Sequence, residues 1–351
     1  MKPRVELDDI RPYEPPRMAW EIEVDRGSKE YAKLTMNELS FGPLPEARAA
    51  AMEAISRANR YPARDADPLR KAISAANPGI TAANVVVGNG SSEVLVDLLQ
   101  ILDRPGEVVF PWPSFPFYSS ATRVVGLTEC QVALDERHAV DLDALHAAVG
   151  PETRAVILCN PNNPTGTYLP LDRVRSFAGA LPERVLLILD EAYYEFVEDP
   201  AYAGSHELVL QSTNVVSSRT FSKVHGLAGF RIGFGIAPLG ISDYAWRAHV
   251  PFSVSIVAQA AAEASMGQTR SITERARFMT QERERLQTAF DETGLEYVPS
   301  HTNFILVRTG PAVFERTGVL VREGEALGYP GWSRISIGSA QENDRIMAAL
   351  T

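Results

Sequence analysis

Lys223 is the only lysine after Lys71 in this 351-residue chain, in which lysine and arginine together number 34. Arginine stays protonated near neutral pH, whereas lysine can become a neutral amine, the form that attacks an aldehyde to make a covalent link. Composition alone is equally consistent with a solvent-exposed lysine that has no chemical role. The residues that meet Lys223 in the fold must decide between the two interpretations.

Several polar residues that could assist such a lysine follow predicted strands. Asp190 ends an apolar run, and Asn163 lies in the turn Asn-Pro-Asn-Asn-Pro-Thr-Gly at 160–166. Ligands of an open parallel sheet bind beyond the carboxyl ends of its strands, so these residues are expected to meet at one edge. The expected group is Gly90, Ser91, Ser92, Asn163, Asp190, Tyr193, Ser222 and Lys223.

Each of these features also has a plainer interpretation. A carboxylate at the depth of Asp190 needs a charged or hydrogen-bonded partner, but it could instead cap a helix, with Glu191 as its exposed neighbour. Residues 88–92, Gly-Asn-Gly-Ser-Ser, offer backbone N–H groups to an anion, or are a simple helix start capped by Ser91. Arg231 would complete a phosphate site, or is an ordinary ion-pair residue. The segment is neither GxGxxG nor a P-loop, so neither a dinucleotide nor ATP is indicated.

Short apolar strands that alternate with helical patterns position these residues. Strands are predicted at 85–87, 108–110, 155–158, 185–189, 215–218 and 232–236, and helices at 45–59, 68–76 and 92–102. This pattern favours an α/β fold with a mainly parallel sheet covered by helices on both faces. After about residue 265, a long helix (270–293) and strands near 302–307 and 334–337 predict a smaller α+β domain. The predicted division is an N-terminal arm (1–44) that joins the small domain, a large domain (45–264) and the small domain (265–351).

Composition excludes several classes of function. The net charge of −10 and the lack of a basic cluster argue against a nucleic-acid partner. The two cysteines, Cys130 and Cys159, match no metal-ligand spacing, so no metal is predicted. The first residues lack the apolar region of a secretory signal, and the longest apolar runs have the length of strands, so no membrane span is expected. A cytoplasmic protein is the simplest expectation.

Five motifs together resemble the fold type I aminotransferases that use pyridoxal phosphate. They are GNGSSE (88–93), PSFPFY (113–118), NPNNPTG (160–166), DEAYYEF (190–196) and TFSKVHGLAGFR (220–231). Three further segments, RPYEPP (11–16), NELSFGPLP (37–45) and RYP (60–62), are most similar to the histidinol-phosphate aminotransferases and their aromatic aminotransferase relatives. The resemblance therefore implies transamination, with histidine biosynthesis as the leading pathway.

The resemblance also implies a role for each residue. Lys223 would link to the cofactor and then move the substrate proton, Asp190 would keep the pyridine nitrogen protonated, and Tyr193 and Asn163 would bind the phenolic oxygen. Phe115 would stack on the ring, with Tyr118 as a further member of that wall. The remaining implied contacts are Gly90, Ser91, Ser92, Ser222 and Arg231 for the cofactor phosphate, Tyr61 for the phosphate of a neighbouring subunit, and Arg334, Arg322 and Asn37 for the substrate. The expected partners are a small amino donor, an oxo acid such as 2-oxoglutarate, and a second copy of the chain in a homodimer.

Departures from the family pattern leave the substrate open. The usual Asn-Glu-Asn-Pro is replaced by Asn37-Glu38-Leu39-Ser40, and His225 stands where an aromatic residue is usual after the lysine. An aromatic amino-acid aminotransferase is an alternative, as is a decarboxylase, lyase or oxidase on the same scaffold. A pyridoxal-phosphate-binding regulator is a third possibility, but that class carries a DNA-binding module ahead of the fold, and about 36 proline-rich residues precede Asn37.

Overall fold

The computed structural model describes residues 31–202 and 204–350, together with Leu7 and Ile10. The RPYEPP segment at 11–16 lies outside the described residues. In the described part of the chain, the strands are β1 (Ala32–Leu34), β2 (Val85–Gly88), β3 (Glu107–Trp112), β4 (Thr128–Ala133), β5 (Thr153–Cys159), β6 (Leu186–Asp190), β7 (Val215–Thr220), β8 (Gly233–Ile236), β9 (Tyr297–Val298), β10 (Phe304–Val307), β11 (Val319–Glu323) and β12 (Ser333–Ser336).

Successive strands from β2 to β7 are separated by one α-helix in the described residues. The α-helices are α1 (Pro45–Ile55), α2 (Asp67–Ala76), α3 (Ser91–Gln100), α4 (Phe117–Val124), α5 (Leu142–Ala148), α6 (Leu171–Ala180), α7 (His206–Leu210), α8 (Leu239–Ala248), α9 (Ile256–Met266), α10 (Thr269–Thr293), α11 (Ala312–Glu315) and α12 (Ala340–Ala348). No helix within the described ranges is long and apolar enough to span a membrane.

Seven strands form the larger sheet in the order β2-β8-β7-β6-β5-β3-β4. Neighbouring strands in the run from β7 to β4 are parallel, and β8 is antiparallel to both β2 and β7. Successive side chains of each strand point to opposite faces. In β2, Val85 and Val87 enter one apolar core with α1, α2, α6 and α9, whereas Val86 enters another with α3, α4 and α8. The predicted α/β architecture with helices on both faces is confirmed.

A second, five-stranded sheet has the order β1-β11-β12-β10-β9. Only the β1–β11 pair is parallel among the strand pairs of this sheet. Its core contains Phe304 and Ile335, onto which Leu286 and Phe290 of α10 pack. The pairing of β1 with β11 joins the segment around residue 33 to the C-terminal strands. We retain as a proposal the division into an arm (1–44), a large domain (45–264) and a small domain (265–351).

The sequence-based description of the larger domain differs from the structure at the start of α3 and at β4. The residue that precedes α3 is Gly90, with φ of 77°, and no side chain caps this helix, so Ser91 is the first helical residue rather than the cap. Strand β4 was not predicted because it is an edge strand with no fully buried residue, and its polar sequence lacks an apolar run. Neither difference changes the sheet edge to which the polar residues belong.

Candidate active site

Asp190 is the last residue of β6 and pairs with Cys159 of β5 and Ser218 of β7. Its Oδ2 atom accepts a hydrogen bond of 2.6 Å from the Tyr118 hydroxyl, and its Oδ1 atom accepts one of 3.1 Å from the Ala192 N–H. Burial raises the pKa of Asp190, and these two hydrogen bonds oppose that rise. The carboxylate therefore lies in a site that would favour an additional cationic or N–H partner.

Lys223 follows the end of β7 and points towards the segment after β1. Its Nζ atom donates a hydrogen bond of 3.2 Å to the Met36 carbonyl oxygen and lies 5.4 Å from the centre of the Tyr193 ring. Burial lowers the pKa of Lys223 to about 7, and the positive charges of Arg334 and Arg231 add to that effect. A large fraction of this side chain is consequently the neutral amine at neutral pH, which supports the nucleophilic interpretation over the solvent-exposed one.

Asn37 joins the arm segment to both sheets. It has a left-handed backbone with φ of 54°, a conformation that asparagine tolerates better than most residues. Its Nδ2 atom donates to the Tyr193 hydroxyl at 2.9 Å, its N–H donates to Ser336 Oγ at 2.8 Å, and its carbonyl oxygen accepts from Asn303 Nδ2 at 3.0 Å. Tyr193, which is 4% exposed, packs edge-on against Phe304. These contacts fix the Tyr193 hydroxyl against residues of the arm segment and the second sheet.

Arg334 brings the second sheet to the turn that contains Asn163. Its Nη1 atom donates to Asn163 Oδ1 at 2.6 Å and its Nη2 atom donates to the Thr35 carbonyl oxygen at 3.0 Å. Arg322 of β11 is the register partner of Arg334 in the antiparallel β11–β12 pair. Directly opposite residues of such a pair have their side chains on the same face of the sheet, so two guanidinium groups share this face.

A set of backbone N–H donors lies at the start of α3. The first N–H groups of a helix have no partner within it, and here Gly90, Ser91 and Ser92 supply them. A Cβ atom added at Gly90 would lie 2.6 Å from Arg231 Nη2, so only glycine lets the guanidinium approach the loop. Arg231 Nη1 in turn donates to Ser222 Oγ at 3.4 Å. Backbone N–H groups, a hydroxyl and a guanidinium together fit a phosphate group.

The aromatic residues of the 113–118 segment divide between two positions. Phe115 is half-buried, and its ring meets that of Tyr118 edge-on at 5.6 Å. Tyr118 is fully buried and its hydroxyl is used at Asp190, which indicates a different position from the stacking wall considered for it. Tyr61 stays apart from this group within the described residues. It is 82% exposed and its ring stacks on Phe252 at 5.0 Å.

The sequence interpretation missed a buried ion pair beside the site. Glu191 was expected to be exposed, but it is 0% exposed and its Oε2 atom lies 2.9 Å from Arg219 Nε. Glu191 Oε1 accepts hydrogen bonds from the Tyr202 hydroxyl at 2.6 Å and from the Ser205 N–H at 3.1 Å, and Ser217 Oγ donates to Oε2. Burial raises the pKa of Glu191, but Arg219 and the hydrogen bonds outweigh it and the pKa is lowered. Arg219 lies within the buried strand 215–220, and this is the sequence feature that could have indicated a buried acidic partner.

His225 does not extend the polar group around Lys223. Its ring is buried, and Nδ1 lies 2.7 Å from Ser265 Oγ. The ring also packs on Phe221 at 4.7 Å. Burial, with a smaller effect of Arg275, lowers the pKa of His225 to about 3, so the ring is neutral.

These features define a class of protein. A mainly parallel sheet whose strand ends carry a lysine of lowered pKa, a partly buried carboxylate and a group of phosphate-type donors is the arrangement of the fold type I enzymes that use pyridoxal phosphate. The chain belongs to aminotransferase class I and II, whose family model matches residues 29–350. It is a pyridoxal-phosphate-dependent aminotransferase that acts on small molecules, as the motifs predicted.

Individual relatives agree with this family. The chain is 60% identical over 350 residues to a histidinol-phosphate aminotransferase of Rubrobacter xylanophilus, and 100% of each chain is covered. It is 41% identical over 326 residues to an aromatic amino acid aminotransferase of Cutibacterium acnes, with 91% of each chain covered. Among solved structures, the histidinol-phosphate aminotransferase of Sinorhizobium meliloti in complex with pyridoxal-5'-phosphate is similar, with a TM-score of 0.87, 29% identity, and coverage of 99% of this chain and 95% of that chain.

Proposed function

We propose that this aminotransferase transfers the amino group of L-histidinol phosphate to 2-oxoglutarate, a step of histidine biosynthesis. The observation that carries the proposal is the pair of guanidinium groups, Arg322 and Arg334, on one face of the second sheet beside Asn163. The two proposed substrates carry a phosphate group and two carboxylate groups respectively, and arginine binds phosphate and carboxylate groups bidentately. The 60% identity with a histidinol-phosphate aminotransferase supports the same substrate.

Lys223 is proposed to carry the proton at the substrate Cα. Its pKa of about 7 suits a group that must take up and return a proton at neutral pH. Bound pyridoxal phosphate supplies the electron sink that stabilises the resulting carbanion. We assign Asp190 to the pyridine nitrogen, because a nearby negative charge favours the protonated form of a base. Tyr193, whose hydroxyl the Asn37 amide orients, would act on the phenolic side of the ring.

The remaining residues are assigned by position. Gly90, Ser91, Ser92, Ser222 and Arg231 would hold the phosphate, Asn163 and Tyr193 the phenolic oxygen, and Phe115 the ring face. Arg334, Arg322 and Asn37 would meet the substrate. Arg334 binds Asn163 Oδ1 in this structure, so substrate binding at its Nη1 atom competes with that hydrogen bond.

We also propose that the active form is a homodimer in the cytoplasm. Exposed apolar side chains occur on α1 (Met52 and Ile55) and at Val250 and Phe252, and a second copy could cover them. Tyr61, stacked on Phe252 and 82% exposed, would reach the cofactor phosphate of the partner subunit. Replacement of Tyr61 by Phe should therefore weaken cofactor binding without a change in the oligomeric state measured by light scattering.

An aromatic amino-acid aminotransferase is the second candidate. It is favoured by the 41% identity with such an enzyme and by Leu39-Ser40 in place of the usual Asn-Pro. The purified protein is incubated with pyridoxal phosphate, 2-oxoglutarate and one amino donor at a time, and glutamate is assayed. Glutamate formed from L-histidinol phosphate but not from phenylalanine supports the first candidate, and the reverse supports the second. Release of CO₂ or consumption of O₂ without glutamate would contradict both in favour of a decarboxylase or an oxidase.

A further inference from the structure

We propose that Tyr118 is a positioning residue for Asp190: the Tyr118 hydroxyl fixes one carboxylate oxygen of Asp190 and so stabilises the carboxylate that would bind the cofactor ring nitrogen. The inference rests on the proposed assignment of Asp190 to the pyridine nitrogen. It gives Tyr118 a role at the edge of the ring rather than in the wall that stacks on the ring face.

Tyr118 is fixed on several sides. It is the second residue of α4, it is 0% exposed, and its ring meets Phe110 at 6.0 Å and Phe115 at 5.6 Å, both edge-on. The distance of 2.6 Å between its hydroxyl and Asp190 Oδ2 is typical of an O–H donor bound to a carboxylate. Burial and the negative charge of Asp190 raise the pKa of the Tyr118 phenol well above its usual value, so the phenol keeps its proton and acts as the donor.

The surroundings of Asp190 make this donor important. The titratable side chains that act on the Asp190–Tyr118 pair are Cys159 of β5, Glu191 and Lys223. Burial is the largest influence on Asp190 and raises its pKa, and Glu191 raises it further. Tyr118 is the strongest of the groups that favour the charged form, ahead of the Ala192 N–H and Lys223. Loss of the Tyr118 hydroxyl should therefore raise the pKa of Asp190.

The protonation of Asp190 matters for the cofactor. A proton stays on the pyridine nitrogen only while Asp190 remains the weaker base of the two. If the pKa of Asp190 rises, the proton moves towards the carboxylate and the ring withdraws fewer electrons. The nitrogen that joins Lys223 to the cofactor then keeps its own proton to a higher pH. That change can be observed in the visible absorption of the bound cofactor, independently of turnover.

The chain contains a matched control for this test. Tyr202, like Tyr118, is a buried tyrosine whose hydroxyl donates a hydrogen bond of 2.6 Å to a carboxylate, in this case Glu191 Oε1. Glu191 directly follows Asp190 but is bound to Arg219. Tyr202→Phe removes the same hydroxyl from the same kind of hydrogen bond, and the carboxylate that loses it, Glu191, is the residue next to Asp190. A purely structural effect of a lost buried hydroxyl should appear in both variants.

The experiment compares the holoenzymes of the wild type, Tyr118→Phe, Tyr202→Phe and Asp190→Asn by absorbance over a pH titration. We expect Tyr118→Phe to raise the midpoint of the visible transition by about one pH unit, since a hydrogen bond to a charged group and one pKa unit are similar in energy. Its kcat should fall about tenfold, in line with one pKa unit, with little change in KM. Tyr202→Phe should leave the midpoint unchanged. In the Asp190→Asn background, Tyr118→Phe should have no further effect on the midpoint.

Two outcomes would overturn the inference alone. One is a wild-type midpoint in Tyr118→Phe together with a shifted midpoint in Asp190→Asn, and the other is an equal shift in Tyr118→Phe and Tyr202→Phe. An unshifted midpoint in Asp190→Asn would instead overturn the assignment of Asp190 in the proposed function, and this inference with it. Circular dichroism establishes first that each variant is folded. If Tyr118→Phe is not folded, Tyr118→Met replaces it, because methionine also lacks the hydroxyl and its flexible side chain packs more adaptably. The same results would then support or overturn the inference.

Discussion

Asp190 and Glu191 are adjacent acidic residues at the end of β6, but their surroundings shift their pKa values in opposite directions. Glu191 is fully buried and bound by Arg219, Ser217, Tyr202 and the Ser205 N–H, so that its pKa is lowered. Asp190 is half-buried and accepts hydrogen bonds from Tyr118 and the Ala192 N–H, and its pKa is raised.

The difference indicates a structural role for Glu191 and supports the catalytic role that we propose for Asp190. Arg219 of β7 already neutralises Glu191, and its guanidinium also stacks on the Tyr194 ring at 3.9 Å, so this cluster ties the ends of β6 and β7 together. The Asp190 carboxylate accepts hydrogen bonds from Tyr118 and the Ala192 N–H, and the cofactor nitrogen is the further partner that we propose for it. Arg219 therefore stabilises the scaffold, whereas the raised pKa of Asp190 supports the catalytic role that we propose for it.

Replacement of Glu191 by Gln should have the largest effect on stability. The change leaves the buried Arg219 guanidinium without its counter-charge, and removal of one partner of a buried pair costs about 3–5 kcal/mol. Urea unfolding of the cofactor-free protein measures this loss. Glu191→Gln combined with Arg219→Met should recover part of it, because no uncompensated charge remains. A Glu191→Gln protein as stable as the wild type would contradict the structural role of the pair.

Replacement of Asp190 by Asn should have its main effect on catalysis. The amide cannot keep the pyridine nitrogen protonated, and loss of one such electrostatic group reduces kcat by about 10²–10³-fold. Because the charge of Asp190 is disfavoured by burial, the stability of the cofactor-free protein should be unchanged or increased. Steady-state kinetics and urea unfolding on the same preparation test both parts. A loss of stability as large as that of Glu191→Gln would erase the distinction between the two residues.

The two carboxylates should also give opposite pH dependences of stability. The folded-state pKa of Glu191 lies below its ordinary value of 4.5, so its contribution is present above that pH and is lost as the pH falls through the folded-state pKa. The folded-state pKa of Asp190 lies above 3.8, so its contribution is present below that pH and is lost as the pH rises through the folded-state pKa. In urea unfolding over about pH 3 to 8, the deficit of Glu191→Gln should shrink in acid, whereas any advantage of Asp190→Asn should grow with pH. Parallel curves for the two variants would contradict the opposite pKa directions.

Much of the fold could be predicted from the sequence because the strands of the larger sheet are continuous apolar runs. Val85–Val87 and the run that ends at Asp190 are buried on both faces, which leaves little ambiguity. The edge strand β4 has no such run and was missed. The polar residues of the five motifs were expected at one sheet edge because each motif follows a predicted strand, whereas their roles came from the family resemblance.

Contacts between distant residues could not be predicted in the same way. Glu191 and Arg219 are 28 residues apart in sequence, and Tyr118 and Asp190 are 72 apart. No periodicity links such pairs, and only the parallel register of β6 and β7 places Glu191 beside Arg219. An acidic residue after a strand is more often exposed than buried, which is why Glu191 was misjudged.

The smallest expected effect is a shift in the pKa of Lys223. Its size tests whether Asp190 is charged in the cofactor-free protein. Asp190 is the weakest of the principal influences on the pKa of Lys223 and raises it, and Glu191 is not among them. The rate at which acetic anhydride labels Lys223, followed by mass spectrometry, should rise with a midpoint near pH 7 in the wild type. Asp190→Asn should lower that midpoint by less than about one pH unit because an opposite charge favours the protonated amine, and Glu191→Gln should leave it in place. An unchanged midpoint in both variants would mean that Asp190 is protonated before the cofactor binds, so that the cofactor itself, rather than Tyr118 alone, establishes the carboxylate.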